Sequence, residues 1–254
     1  MASAFTRDAG SAFGLYCLSS MPAKNQVSNA MPITAAPNNM PCPVLVGFTR
    51  AYLLPQAAIL NRCYDAVDLI QGIKVRIAGN RLIEARYSSS PHCDDRPDDE
   101  VSLIVVHGIS LPPGEFGGRE IEDLFLGHLD TGSTGLTDLE GLRVSSHLLI
   151  RRSGEIIQFV DFDKRAWHAG ESEFLGRTGC NDFSVGIELE GTDTIAYEDV
   201  QYQQLTAACQ ALIDEYPIAR VCGHCDIAPG RKTDPGPAFR WEKLEASLGA
   251  ELCR

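Results

Sequence analysis

From about residue 70 onward, apolar residues fall into short runs with a readable period. Ile73–Glu84 shows patchy alternation and predicts one or two short strands, followed by a polar Pro/Asp connection over Pro91–Glu100. Leu103-Ile104-Val105-Val106 is continuously apolar and predicts a buried strand over Ser102–Val106, with His107 where that strand emerges. Leu111-Pro112-Pro113-Gly114 can continue neither strand nor helix. Ile121, Leu124, Phe125 and Leu129 stand at helical spacing and predict a helix over Glu120–Leu129. His147–Arg151 and Glu155–Val160 flank Ser153-Gly154 as the arms of a hairpin. Ser184–Leu189 reads as a further short strand. The clearest helix is Glu198–Tyr216, with Val200, Leu205, Ala208, Leu212, Ile213 and Tyr216 on one face and Pro217 as its stop. Interleaved strands and helices with a hairpin, and no internal repeat, predict an α/β fold: a mixed central β-sheet flanked by helices.

The first third of the chain is different. Residues 1–43 are rich in Ala, Ser, Asn, Pro and Met without a period, and predict a poorly ordered extension. Val44–Leu60 is more apolar, but Arg50 and Pro55 interrupt it, so a membrane-spanning helix is not expected. Ser11–Ser20 is only mildly apolar and Arg7 is offset by Asp8, which does not make a secretory signal. The chain is therefore divided into an atypical extension, 1–70, and a domain, 71–254. Met21, Met31 and Met40 remain open as later start sites.

Charge sharpens this division. Residues 1–70 hold four basic and three acidic residues and sum to +1, so with a formal net charge of -12 the other 184 residues carry -13. Such an acidic body argues against nucleic acid or an anionic membrane as partner. The nine cysteines are odd in number and irregularly spaced, which predicts no disulfide framework and a reducing compartment. Cys222 and Cys225 form a lone C-x-x-C and are expected to be small core residues.

Candidate chemistry gathers at His107, His224 and Asp234. Two imidazoles and a carboxylate suit Zn²⁺ and leave a fourth position for water, whose pKa the ion brings near neutrality in hydrolytic sites. A strand-end His is also commonly structural, and Asp before Pro is commonly a turn; both readings stand on these residues alone. His147 and His168 are further ligand candidates, although Trp167-His168 reads better as a pocket wall. Glu188 and Glu190 share a strand face, either one available as a base. Lys232 taken alone is a solvated loop charge. Asn181 and Asp182 are expected to be structural or substrate-orienting, and His92 and His128 to lie at the surface.

Four segments carry a resemblance: HGISLPPGEFGG (107–118), LRVSSHLLIRRSGEIIQFVDFDKRAWHAG (142–170), CNDFSVGIELEGTDT (180–194) and GHCDIAPGRKTDPGPAF (223–239). They closely resemble the bacterial cytoplasmic 1,6-anhydro-N-acetylmuramyl-L-alanine amidases, a branch of the zinc amidase superfamily that includes phage lysozyme-type amidases and peptidoglycan recognition proteins. The likeness runs from about residue 74 to about 245. It implies the fold of that superfamily and a reaction, cleavage of the amide between the lactyl group of 1,6-anhydro-N-acetylmuramic acid and L-alanine during murein recycling. It implies one zinc per chain on His107, His224 and Asp234, Glu188 as catalytic acid/base and Lys232 as oxyanion stabiliser. Trp167, His168, Arg143 and His147 are expected to bind substrate.

The resemblance further implies a monomeric, cytoplasmic enzyme acting on a small anhydromuropeptide. Gly108, where the family has Asn, Gly179, where it often has Arg, and a short loop over 130–141 depart from the pattern and bear on substrate grip. An exported amidase trimming intact peptidoglycan is the alternative, and a processed N-terminus would mark it. A non-catalytic peptidoglycan-binding module is a second alternative; such modules commonly lose a zinc ligand, and all three are present here.

Overall fold

The computed structural model describes residues 73–245, 248 and 251–253; the expected extension over 1–70, with Val44–Leu60 and the candidate starts, lies outside them. In chain order the strands are β1 (Ile77–Ala78), β2 (Arg81–Leu82), β3 (Arg86–Tyr87), β4 (Cys93–Asp95), β5 (Leu103–Ile109), β6 (Leu148–Ile150), β7 (Ile156–Gln158), β8 (Lys164–Ala166), β9 (Glu173–Phe174), β10 (Arg177–Thr178), β11 (Ser184–Glu190), β12 (Arg220–Gly223) and β13 (Glu251–Leu252). The α-helices are α1 (Glu120–Phe125), α2 (Thr131–Thr134), α3 (Asp199–Glu215), α4 (His224–Ile227) and α5 (Trp241–Glu245). Among the described residues no helix is long and apolar enough to cross a membrane.

Seven strands form a mixed sheet in the order β13-β12-β5-β11-β6-β7-β3. The central strands β12, β5, β11 and β6 run parallel, and β6–β7 is the antiparallel hairpin read from the sequence. The expected strand at Ser102–Val106 runs on to Ile109, because β11 pairs with it residue by residue from Ser184↔Leu103 to Glu190↔Ile109. His107 is therefore inside the strand, directly opposite Glu188.

One face of this sheet packs on α3. Ile104, Val106, Leu148, Ile150, Val185, Ile187 and Leu189 meet Leu205, Ala208 and Leu212 in the largest core cluster. Each such side chain, fully buried, contributes roughly 1.5–3 kcal/mol relative to exposure. A capping box between Glu198 and Gln201 starts α3, and Gln201 also donates to the carbonyls of Ile150 and Glu190 at 3.2 and 3.0 Å. The other face holds two smaller apolar clusters. Leu103 and Val105 pack with Ala169, Cys180, Phe183 and Ile227 at one end. Ile109, Leu149 and Ile157 pack with Ile121, Leu124 and Phe125 at the other. His107 and Glu188 occupy the gap between these two clusters.

Four expectations need correction. The helix from Glu120 stops at Phe125 rather than Leu129, because Gly127 adopts a left-handed φ of 71° and turns the chain. The connection Pro91–Glu100 contains β4, a polar edge strand pinned to β8 by Lys164–Asp95 and Arg165–Asp94 ion pairs, both 2.6 Å. His92 is buried, with Nδ1 on the Val144 carbonyl at 3.0 Å and its ring stacked on Trp167. Finally, Cys222 is bonded to Cys253, a pairing created by the adjacency of β12 and β13, so the cysteines are not all free thiols.

Candidate metal centre and its clefts

Three chain segments converge on one point. His107 projects from β5, His224 opens α4 immediately after β12, and Asp234 lies in the following loop. That loop is held by Cys225 N–H donating to the Asp234 carbonyl and the Tyr197 hydroxyl donating to the Pro235 carbonyl, each at 2.9 Å. His107 Nδ1 stands 3.0 Å from His224 Nδ1 and 3.3 Å from Asp234 Oδ2, and His224 Nδ1 stands 3.1 Å from Asp234 Oδ2. All three residues are buried, and among the described residues this is the group able to hold a metal. His224 Nε2 donates to the Ala169 carbonyl at 3.1 Å, which leaves Nδ1 as a bare lone pair facing a carboxylate oxygen. With the His224 ring neutral, two electron-pair donors so placed form a seat that a cation could fill.

Glu188 adjoins this point from the neighbouring strand, with Oε1 3.9 Å from His107 Nδ1. It is 6 % exposed, and its Oε2 has no hydrogen-bond partner among the described residues. Burial, and then the negative charge of Asp234, push the Glu188 carboxyl well above its ordinary pKa, while Lys232 pulls the other way. Burial, with the neighbouring His224, lowers His107 to about 4, so its ring is neutral and available as a ligand. Glu190 is fully engaged: Gly117 N–H and Arg151 Nη1 donate to Oε1 at 2.6 and 3.2 Å, and Arg152 N–H donates to Oε2 at 3.1 Å. It tethers the loop before α1 and does not face the converging ligands.

Two clefts meet at the centre. The larger, about 230 Å³, is lined by His107, His168, Glu188, His224, Lys232 and Asp234, and by Ser110, Leu111, Thr192, Asp193, Thr194 and Ile195 on its walls. The second shares His168, His224 and Lys232 and adds Arg143, Trp167, Asn181 and Arg231. Arg143 is exposed and Trp167 half-buried, its Nε1 donating to Asp94 Oδ1 at 3.1 Å. The clefts thus bring together eight of the nine residues singled out in the sequence.

His147 is the exception and a correction: it touches neither cleft. It is fully buried, accepts from the Gly186 N–H at 3.0 Å through Nδ1, and donates through Nε2 to the Lys164 carbonyl at 3.0 Å. Both ring nitrogens face backbone groups, so the ring is presented to neither cleft nor to the converging ligand atoms. Sequence reasoning also missed the wall Thr192-Asp193-Thr194, whose signal is a polar run directly after the strand bearing Glu188. Asn181, on the wall of the second cleft, has a structural task in its Oδ1, which accepts from the N–H groups of His168 and Ala169 at 3.1 and 2.8 Å. The departure at Gly108 has a physical account, since a Cβ there would collide with the Tyr197 hydroxyl.

The sequence pattern of the N-acetylmuramoyl-L-alanine amidase family matches residues 97–237. The chain is 61% identical over 174 residues to "1,6-anhydro-N-acetylmuramyl-L-alanine amidase AmpD" of Escherichia coli (strain K12), covering 67% of this chain and 95% of that protein. Against the protein of the same name from Haemophilus influenzae it is 46% identical over 172 residues, covering 66% of this chain and 94% of the other. A crystal structure of a selenomethionine AmpD derivative superposes with a TM-score of 0.65 at 57% identity, covering 68% of this chain and 98% of that one.

Proposed function

The chain belongs to the N-acetylmuramoyl-L-alanine amidase family, and from that premise we propose that His107, His224 and Asp234 hold one zinc ion beside Glu188 as acid/base. The reaction is that of the AmpD relatives: hydrolysis of the amide between 1,6-anhydro-N-acetylmuramic acid and L-alanine, in cell-wall recycling. The observation that carries the zinc reading is the triangle of ligand atoms. A tetrahedral zinc with bonds of about 2.0–2.1 Å spaces its ligands about 3.3–3.4 Å apart, and the three edges here are 3.0, 3.1 and 3.3 Å.

When bound, zinc supplies Lewis acidity, bringing the pKa of water toward neutrality and polarising a carbonyl oxygen. The chain's own residues do the rest. Glu188, as carboxylate, takes the proton of the attacking water and delivers it to the departing alanine nitrogen, so water adds across the C–N bond and the carboxylate is regenerated. Its unpartnered Oε2 is the atom free for that exchange. Lys232, on the wall shared by both clefts, places an ammonium where oxyanion charge develops. Trp167 and Arg143 give the second cleft an aromatic face and a cation for sugar or peptide carboxylate. Mass spectrometry of products from purified anhydromuropeptide, with and without chelator, tests this reading. Chelator-resistant cleavage, or stoichiometric zinc in a His224→Ala protein, overturns it.

A cytoplasmic site of action follows from a small soluble substrate. The exported alternative is favoured by one observation, the Cys222–Cys253 bond, because disulfides persist in oxidising compartments. Turnover of intact murein sacculi at a rate matching anhydromuropeptide, together with a processed N-terminus in the native protein, decides for it.

A further inference from the structure

We propose that His168 is a positioning residue for the metal: held in one tautomer by Ser184, it accepts the Nε2–H of His107 and so turns the bare Nδ1 of His107 toward the ion. The inference rests on the zinc reading above. It follows from counting protons along a chain of four groups. The Cys180 carbonyl can only accept, so the Ser184 hydroxyl, 2.6 Å away, donates to it. That hydroxyl has one proton, so toward His168 Nε2, at 3.2 Å, it accepts. His168 therefore carries its proton on Nε2 and offers a lone pair at Nδ1. His107 Nε2 lies 2.9 Å from that lone pair and must donate. Nδ1 of His107 is then left unprotonated, and it is this atom that faces His224 and Asp234.

The next residue performs the same service for the other imidazole, since the Ala169 carbonyl accepts from His224 Nε2. Two consecutive residues thus fix the tautomers of both histidine ligands, one through a side chain and one through the backbone. The segment is built to stay in place. Asn181 clamps both of its N–H groups, and Trp167 N–H donates to Ser145 Oγ at 3.1 Å. Beneath the imidazole of His168 lies Gly186, where a Cβ would come within 2.5 Å of the ring, so the strand leaves the ring its room. His168, Ser184 and Cys180 are all buried, so the links of the chain are direct contacts between protein groups.

Zinc affinity, measured by chelator competition on the full-length protein, tests the relay. Outer partners of ligand histidines are typically worth 10- to 100-fold in affinity, so His168→Leu should bind zinc weaker by about that factor. His168→Gln, whose Oε1 can still accept from His107, should recover most of the loss. Long-range proton–nitrogen spectra of the zinc-loaded wild type should place the His168 proton on Nε2. A folded His168→Leu protein with wild-type zinc affinity and only a raised KM would make His168 a substrate wall and overturn the proposal, as would a His168 proton on Nδ1. If His168→Leu does not fold, Ser184→Ala decides: it should release the His168 tautomer and weaken zinc several-fold, and an unchanged spectrum and affinity overturn the relay. Failure of the wild type itself to take up zinc identifies the zinc reading as what is wrong.

Discussion

Strand β11 presents two buried faces that obey different rules. Val185, Ile187 and Leu189 point to α3 and are interchangeable in kind: apolar, fully buried, each adding contact area to one cluster. Ser184, Gly186, Glu188 and Glu190 point the other way, are equally buried, and are each committed to a separate task. Ser184 fixes a proton, Gly186 makes room for a ring, and Glu190 ties a loop. Burying polar groups costs stability unless they are paired. On this face the hydroxyl and the Glu190 carboxylate are paired, and Glu188 alone keeps an oxygen without a partner. The unpaired group is the one assigned to the chemistry. An exception to hydrogen-bond satisfaction is therefore informative when everything around it conforms.

Substitutions can break this comparison from either side. The largest effect is expected at the ligands: His224→Ala or Asp234→Ala should abolish turnover and stoichiometric zinc, read by elemental analysis, with the fold retained. Glu188→Gln should lower kcat by about 10²–10⁴-fold while zinc content stays whole, since it removes proton transfer and not a ligand. Should Glu190→Gln be the crippled variant instead, the assignment of acid/base between the two carboxylates is reversed. Lys232→Ala should lose about 10²–10³-fold, as for one oxyanion donor. On the helix side the pattern should invert. Leu189→Ala or Ile187→Ala should cost about 2–5 kcal/mol in denaturant unfolding, with kcat of the folded fraction close to wild type. The smallest effect is expected from removing residues 1–70: a protein starting at Gln71 should fold, bind zinc and turn over at nearly the full rate. Loss of solubility or activity there would make part of Val44–Leu60 an element of the domain.

The alternation in β11 and the 3.6 period of α3 were legible because each is local. Glu188 alone, however, reads as a solvent-facing residue, because period 2 says which face a side chain takes and not whether a second layer covers that face. His147 and His168 look alike in sequence, and their separation depends on groups they meet across the sheet: the Gly186 backbone for one, Ser184 for the other. The burial of His92 under Trp167 and the bonding of Cys222 to Cys253 likewise arise from strand neighbours distant along the chain. The three ligand positions were chemically plausible on their own. The surrounding motifs, each longer than any single helix turn or hairpin, turned them into a specific expectation.

The in-register parallel pairing of β5 with β11 has a consequence for assembly. His107 and Glu188 are opposite one another, and so are Val106 and Ile187. A slip of one residue between the strands would carry Glu188 onto α3 and expose the apolar row to the clefts. The hydrophobic energy of the helix side thus acts as the alignment gauge for the reactive side, rejecting misregistered pairings before any ion or substrate arrives. Precision in the active centre is inherited from greasy residues that never touch it.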